Sequence, residues 1–493
     1  MSKTNYRCLA YYLSVFVVVI GILQLIPLLV LPFYPEEAKY AYSFIIPGLV
    51  SIVVGILISH FLSDCQYERL NKNDDSILVV SIWLLAIFIS CFPWMLSGQM
   101  NFTQAAFEMT SGFSTTGLTV CDVDNCTHMF LLFRSITLFV GGVGFVLILS
   151  AALSDRYDLN IYNAEGHSDR LLPNLKQSAR FIFSLYSVFI VGGSIAYYLA
   201  GMNVFDAINT SIGALSTGGF TTIGESIYGY HSLPIEIISI VLMLLGCTNF
   251  MIHFNLLRRK FRPVLHNAET KFMIAMIIIF LPIMIVNVLN TGYCATLGEA
   301  IRVSAFQFVS CLTTTGFQSV ESLSVLPFGF TTVMVILMLI GGDAESTAGG
   351  IKQYRVVVAL KGIWYSIIES HFANNVVKVH FIEKLDKKNV LSDDEIRSTT
   401  TYIMLYIIMF LLGSLVFTLY GNSLGDSMLE FSSALSTVGL SVGITNFNAP
   451  GVILWTAIIA MFFGRLEVMI IFKAIMKIGT DINQRVLENN KEA

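Results

Sequence analysis

Four times along the chain a short Thr-x-Gly stretch, closed by a bulky apolar residue, falls between two apolar segments of membrane length. The stretches read Ser114-Thr115-Thr116-Gly117-Leu118, Ser216-Thr217-Gly218-Gly219-Phe220, Thr313-Thr314-Thr315-Gly316-Phe317 and Ser436-Thr437-Val438-Gly439-Leu440. Their glycines are each separated by about the length of one two-helix membrane unit (219 − 117 = 102, 316 − 219 = 97, 439 − 316 = 123). Four such units around one axis would set four glycine-kinked backbones face to face, and a ring of carbonyl oxygens built that way can replace the water shell of a monovalent cation. A chain with this repeat is constrained to fold around a pore.

Composition places the chain in lipid. Of its 493 residues 55% are hydrophobic and only 13% charged, against about 25% charged in soluble domains. The net charge of −4 gives no reason to expect a nucleic-acid partner. Lys3 and Arg7 precede an apolar run, but Leu9 to Phe33 is too long for the core of a secretion signal and reads as a retained first helix. A helix needs about 20 apolar residues to cross the hydrocarbon, which predicts ten spans: 9–33, 42–62, 76–97, 128–153, 178–201, 233–257, 271–292, 328–375 (interrupted), 399–421 and 450–477.

Before each glycine stretch lies a semi-polar segment too short to cross: Phe102 to Phe113, Val204 to Leu215, Leu297 to Leu312 and Leu424 to Leu435. These are expected to be re-entrant half-helices, which persist at membrane depth only where protein or a water-filled cavity satisfies their free backbone groups. Three loops are basic: Arg156, Arg170, Lys176 and Arg180; Arg258, Arg259, Lys260, Arg262 and Lys271; and Lys378, Lys384, Lys387, Lys388 and Arg397. The loops after the glycine stretches carry acids instead (Asp122, Asp124, Glu225, Glu321). The positive-inside rule then puts the basic loops and both termini in the cytoplasm. Each half-helix would enter from outside and aim the negative end of its dipole at the axis, which favours cations.

Glycine reaches the dihedrals that turn successive carbonyls toward one axis, whereas a Cβ makes them strained. Threonine hydroxyls supply further oxygens or brace the loop. The absence of carboxylates from the four stretches points to a monovalent ion, since hard divalent ions take acidic ligands. Small residues also let membrane helices pack closely, and for a single stretch that explanation would suffice; four aligned copies behind four half-helices favour the pore. Most cysteines (Cys8, Cys91, Cys247, Cys294, Cys311) lie in or beside apolar segments as small buried hydrophobes. Cys121 and Cys126 share one short polar loop, where a disulfide in an oxidising compartment would stiffen the pore mouth.

With these features the chain resembles the TrkH/KtrB/HKT superfamily of potassium-transporting subunits from about Ser76 to Gly479, and its two extra N-terminal spans resemble the TrkH branch. Further matching stretches are Phe133-Arg134-Ser135 with Gly141-Gly142-Val143-Gly144, Asn249-Phe250 with His253, Gly341-Gly342 through Ser346-Thr347-Ala348-Gly349-Gly350-Ile351-Lys352, and Gly464-Arg465-Leu466-Glu467. The resemblance implies an all-α polytopic membrane protein with four membrane–pore–membrane repeats around a pseudo-fourfold pore. The expected division is two extra N-terminal helices (1–70) and pore repeats at 71–160, 161–262, 263–377 and 378–493. It implies a potassium selectivity filter at Thr115, Thr116, Gly117, Thr217, Gly218, Gly219, Thr314, Thr315, Gly316, Thr437, Val438 and Gly439. Glycine at all four aligned positions goes with potassium, and serine at the first with sodium-selective members.

The run Gly341 to Gly350 interrupts an apolar span and packs in glycines, two acids and a Ser-Thr pair. Irregular backbone of this kind is tolerated beside a cavity, although an extramembrane turn between two helices would read alike. Arg465 lies within the last span, where an unpaired arginine costs at least ~2.5–3.5 kcal/mol. It should face the pore, the loop or an acid (Glu467, Asp343, Glu345), or else snorkel to the inner surface. The resemblance makes Gly341, Gly342, Asp343, Glu345, Ser346, Thr347, Gly349, Gly350, Lys352 and Arg465 a gate below the filter. Asp343 and Glu345 depart from the family's pattern; a salt bridge from them to Arg465 would latch the gate, the reading favoured here, whereas free acids would raise the local cation concentration. Arg134 and His253 read as structural.

No Walker A sequence and no dinucleotide-binding glycine pattern after a strand is present. The chain is expected to bind no cofactor of its own, potassium being the transported ion. The resemblance adds a homodimer and a TrkA-like cytoplasmic subunit that binds NAD or ATP and docks on the basic loops. A sodium-permeable or proton/sodium-coupled symporter is the alternative, for which Glu108, Glu430 and Asp206 are the candidate ionisable residues. No acid pair, histidine cluster or activated serine supports an enzyme.

Overall fold

The computed structural model describes residues 5–67, 74–144, 175–369, 371, 379–466 and 468–492. Arg156, Arg170, Lys378 and Glu467, the side chain of Lys176, and the repeat boundaries expected near 70, 160 and 377 lie outside them. The chain is an all-α polytopic membrane protein with a single two-stranded hairpin, Phe381–Lys384 against Lys387–Val390, among the described residues.

The N-terminal helices Tyr6–Leu25 and Ala41–Phe61 form a close antiparallel pair. A Cβ at Gly21 would come closer than 3.0 Å to the Gly48 carbonyl, and one at Gly55 would do so to the Ser14 carbonyl. Small residues therefore set the approach of these backbones, as is usual in lipid. Their connection ties the pair to the first repeat. Both oxygens of Glu37 accept from the N-terminus of helix His128–Val143, at His128 N (2.8 Å) and Met129 N (3.0 Å), and Tyr34 stacks on the His128 ring at 3.6 Å. A carboxylate there satisfies free N–H groups and meets the positive end of the helix dipole.

Each repeat continues as a long helix, a short half-helix and a second helix. Long helices Asp74–Leu96, Ala268–Asn290 and Asp393–Leu419 are apolar and long enough to cross a bilayer, as is the 177–199 part of Leu175–Leu199. The half-helices are Phe102–Phe113, Val204–Leu215, Leu297–Leu312 and Leu424–Leu435, matching the sequence expectation at both ends. All four start with a side-chain cap: Asn101 accepts from Gln104 N, Asn203 from Asp206 N, Thr296 from Glu299 N and Ser423 from Asp426 N. Only the third is longer, by about one turn.

The second helices depart from the expected spans in the second and fourth repeats, and in the third they break where the sequence expects an interruption. In the second repeat, Leu233–Cys247 and Phe250–Leu257 meet at 105°. In the third, Phe328–Ile340 and Gln353–Glu369 are separated by the irregular run 341–352. In the fourth, Gly451–Leu466 is followed by Val468–Glu492, well past the expected limit at 477. The second helix of the first repeat, His128–Val143, is described as far as Gly144.

Three second helices press a glycine onto the end of their half-helix. A Cβ at Gly141, Gly246 or Gly464 would fall within 3.0 Å of the carbonyl of Phe113, Leu215 or Leu435 respectively. Backbone blocks that side chain, so it cannot be moved aside cheaply. Gly464→Val is expected to destabilise the protein by about 1–3 kcal/mol, read as a lowered thermal midpoint of the detergent-purified chain.

Candidate functional site

The four glycine stretches begin where the half-helices end, and their backbones repeat one geometry. Thr115, Thr217, Thr314 and Thr437 take φ of 56°, 51°, 55° and 53°, and Gly117, Gly219, Gly316 and Gly439 take 88°, 66°, 81° and 101°. The residue between each pair donates its N–H back into its own half-helix: Thr116 to Ser111 O (2.9 Å), Gly218 to Gly213 O (3.0 Å), Thr315 to Ser310 O (3.0 Å) and Val438 to Ser433 O (2.8 Å). With those amides used, the carbonyls of the same residues are left to face their neighbours.

They close a ring. A Cβ on Gly117 would come closer than 3.0 Å to Gly218 O, on Gly219 to Thr315 O, on Gly316 to Val438 O, and on Gly439 to Thr116 O. Each glycine thus lies against the carbonyl of the middle residue in the next repeat, and the fourth returns to the first. Any side chain here would wedge the ring apart, in addition to straining a positive φ. The C-terminal ends of the four half-helices, the negative ends of their dipoles, converge on this ring.

The run 341–352 lies against the ring from one side. Gly349 N donates to the Thr314 hydroxyl at 2.7 Å, and a Cβ on Gly349 would strike the Thr437 hydroxyl and Ser436 O. The Thr347 hydroxyl lies 3.1 Å from that of Thr217 and 2.9 Å from Gly246 O. The loop therefore touches three of the four stretches. Its other edge is stitched to the bend in the second repeat: Asn249 Nδ2 donates to Ala344 O (2.8 Å), Asp343 N to Cys247 O (3.3 Å) and Phe250 N to Glu345 O (3.3 Å). From the third repeat's first helix, Glu269 accepts from Ala344 N at 2.6 Å. An extramembrane turn would make none of these contacts. Gly341 and Gly350 adopt φ of 75° and 79°, and so, at the cost of strain, do Glu345 (59°) and Lys352 (81°).

Arg465 reaches the same place. Its guanidinium donates to Thr347 O at 2.8 Å and to the carbonyls of Gly141 and Gly142. It is turned to the loop and the end of the first repeat's second helix. Glu345, Ser346, Gly349, Gly350, Lys352 and Arg465 line a cavity of about 40 Å³, room for a few water molecules at most. Gly342 lies over buried Cys247, and Lys352 Nζ donates to Ala348 O. The Asp343 carboxylate accepts from Asn249 N at 3.4 Å, on the side of the second repeat.

Arg134 and His253 have fixed partners: Arg134 Nε to Glu108 at 2.8 Å with the guanidinium 4.0 Å over Phe220, and His253 Nε2 at 2.9 Å from Leu245 O. Cys121 and Cys126 are free thiols; they lie side by side, and the hydrogen bond between them, with burial, pushes the Cys121 thiol well above its ordinary range. Sequence reasoning did not find Glu269 and the pairing role of Asn249, which join segments far apart in the chain. It also passed over the capped start of every half-helix, which Asn101-x-x-Gln104, Asn203-x-x-Asp206, Thr296-x-x-Glu299 and Ser423-x-x-Asp426 spell out.

A membrane protein whose four half-helices converge on a closed carbonyl ring belongs to the cation-transporting class. The comparison with known families agrees. The family model for TrkH, described as cation transport protein, matches residues 43–484, and the chain belongs to the TrkH family. Its members are transporters, not enzymes. The chain is 28% identical to an uncharacterized cation transporter of Methanocaldococcus jannaschii over 476 residues, 95% of each chain. It is 27% identical to the Trk system potassium uptake protein TrkG of Escherichia coli K12, covering 95% of this chain and 97% of that one. The crystal structure of the potassium transporter TrkH from Vibrio parahaemolyticus shares the fold at a TM-score of 0.82, with 22% identity over 95% of this chain and 98% of that chain.

The fit of the loop beneath the ring is directly testable. Gly349→Ala has no room beside Thr437 and Ser436 and is expected to loosen the loop. Modification of Cys247 by a membrane-permeant thiol reagent, followed by mass spectrometry, should accelerate by roughly tenfold as local opening becomes easier.

Proposed function

We propose that this chain takes up potassium across the plasma membrane, with the four stretches around Gly117, Gly219, Gly316 and Gly439 as its selectivity filter. The observation that carries this reading is the closed succession of glycine-to-carbonyl contacts through all four repeats. Such a ring replaces the hydration shell of a monovalent ion, and half-helix dipoles give the same site a preference for cations. The relatives named as potassium uptake proteins support potassium as the ion. Glu108 and Glu430 each hold several fixed donors and the Asp206 carboxylate accepts from the Asn203 side chain that caps its half-helix, which favours a conducting pathway over one that carries protons on these acids.

The loop 341–352 and Arg465 are the gate in this reading. Their support is position: the loop contacts three filter stretches, Arg465 holds it to the first repeat, and the cavity they enclose is small. Glu345, beside Arg465 in that cavity, and Asp343 stabilise the closed arrangement. The basic loops lie in the cytoplasm with both termini. The exposed Arg258, Arg259, Lys260, Lys387 and Lys388 offer a positively charged surface to a TrkA-like nucleotide-binding subunit, and two copies of the chain associate as a homodimer.

The test is growth at limiting potassium, with rubidium uptake, in a bacterium lacking its own potassium importers, with and without a TrkA-like partner. Rescue is expected from the native chain. Gly117→Ser, which places a side chain against Gly218 O, should weaken rescue or admit sodium; a properly inserted native chain that gives no rescue beside its partner sinks the potassium reading. Asp343→Asn combined with Glu345→Gln should raise resting flux several-fold and leave the rubidium-to-sodium ratio unchanged, and a changed ratio at unchanged flux would remove the two acids from the gate.

A further inference from the structure

Nine residues before each ring glycine, each half-helix carries one polar side chain: Glu108, Thr210, Gln307 and Glu430 (117 − 9, 219 − 9, 316 − 9, 439 − 9). All four are fully buried. In the first and fourth repeats the carboxylates do the same thing. Glu108 accepts from the Thr119 hydroxyl (2.9 Å) and Val120 N (3.0 Å). Glu430 accepts from the Ser441 hydroxyl and Val442 N, both at 2.7 Å. These partners stand two and three residues beyond Gly117 and Gly439, so each acid clasps the strand leaving the ring from behind. Glu430 also accepts from Thr445 N (3.0 Å) and the Thr445 hydroxyl.

The other two repeats lack this clasp. Among the described residues both polar atoms of the Gln307 amide and the Ser319 hydroxyl, three residues past Gly316, have no hydrogen-bond partner, while the Thr210 and Thr222 hydroxyls face the Tyr230 hydroxyl and not a carboxylate. The second repeat is instead reached from the first. Arg134, paired with Glu108, donates from Nη1 to Thr221 O at 3.3 Å and covers Phe220. The outer strands of a ring built from four similar repeats are thus held unequally, with buried charge on the first and fourth.

We propose that Glu108 and Glu430 are positioning residues of the ion pathway. By pinning the backbone two and three residues past the glycine they set the aim and spacing of the ring carbonyls in their repeats, and Glu108 does so for the second repeat through Arg134. Hydrogen bonds to a buried carboxylate are about twice as strong as neutral ones. The third repeat, with neutral Gln307, is held without a carboxylate: the Ser310 hydroxyl donates to Phe317 O (2.7 Å), Tyr228 N to Gln318 O (3.0 Å) and Gln318 N to the Ser226 hydroxyl (3.1 Å). The inference rests on the reading of the ring as the filter.

Glu430→Gln tests it best, since the partners of this acid are hydroxyls and amides and its volume is unchanged. The substituted amide must turn an NH2 toward at least one N–H donor. The full-length chain is expressed in the importer-deficient bacterium, and the rubidium-to-sodium uptake ratio is measured, because a ratio does not depend on how much protein inserts. The ratio should fall about tenfold, the consequence of losing one charge-assisted hydrogen bond. Asp426→Asn, at the cap of the same half-helix, should change the amount of protein and leave the ratio alone. Ser441→Ala with Thr445→Val removes the two hydroxyls that donate to the same carboxylate and should lower the ratio in the same direction, which covers the case where Glu430→Gln fails to insert. Variants that insert and keep the native ratio overturn the proposal. A native chain that itself fails to discriminate overturns the filter reading, a failure visible before any variant is measured.

Discussion

The approach of each ring glycine to a carbonyl of the next repeat is the contact on which the rest of this structure depends. Gly117 against Gly218 O, Gly219 against Thr315 O, Gly316 against Val438 O and Gly439 against Thr116 O leave no space for a Cβ. To bring four backbones this close, each half-helix must stop on a left-handed threonine. A residue held there costs about 1–3 kcal/mol, and the cost recurs in all four repeats. The surrounding helices over-determine that strain: Gly141, Gly246 and Gly464 let second helices press on half-helix ends, and Tyr406 donates to Leu435 O at 3.0 Å. The ring is held in place by helices that are themselves fitted to it.

The broken second helix of the third repeat follows from the same geometry. A continuous helix has no free backbone donors to offer, whereas the irregular run 341–352 brings Gly349 N and the Thr347 hydroxyl up to the ring threonines. Unpaired backbone at membrane depth is expensive, and here the partners come from protein: Cys247 O, Gly246 O, Leu339 O, Ile340 O and Glu269. The 105° bend in the second repeat has its place in this account, since it is where Asn249 and the Cys247 carbonyl become available to the loop. Arg465 completes the arrangement by giving its donors to carbonyls of the loop and of the first repeat. A single irregular segment thereby connects all four repeats beneath the ring.

Much of this was legible in the chain. The half-helices were read to the residue because each is a semi-polar stretch too short to cross that ends in a Thr-x-Gly stretch. The polar caps at Asn101, Asn203, Thr296 and Ser423, which that reading did not use, mark the same starts. The interruption at 341–350 was legible because glycines and acids cannot continue an apolar helix. The bend at Thr248-Asn249 was not, for the apolar residues of Leu233–Leu257 run on either side of it and no proline marks the turn. The hairpin at 381–390 is too short and polar to carry a strand pattern, and its exposed Lys387 and Lys388 read only as part of a basic loop.

By itself, then, the sequence determined the class of the protein, the fourfold repeat, the glycine at each ring position and the site of the broken helix, since periodicity, hydropathy and glycine's freedom are local properties. Only the tertiary structure decided which carbonyl each glycine meets, that Arg465 donates to the carbonyls of Thr347, Gly141 and Gly142, and that Glu108 and Glu430 clasp outer strands while Thr210 and Gln307 do not. Those outcomes depend on distances between atoms separated by 11 to 324 residues along the chain. A buried charge takes whichever donors the assembled fold brings within reach, and no local pattern in the chain encodes that choice.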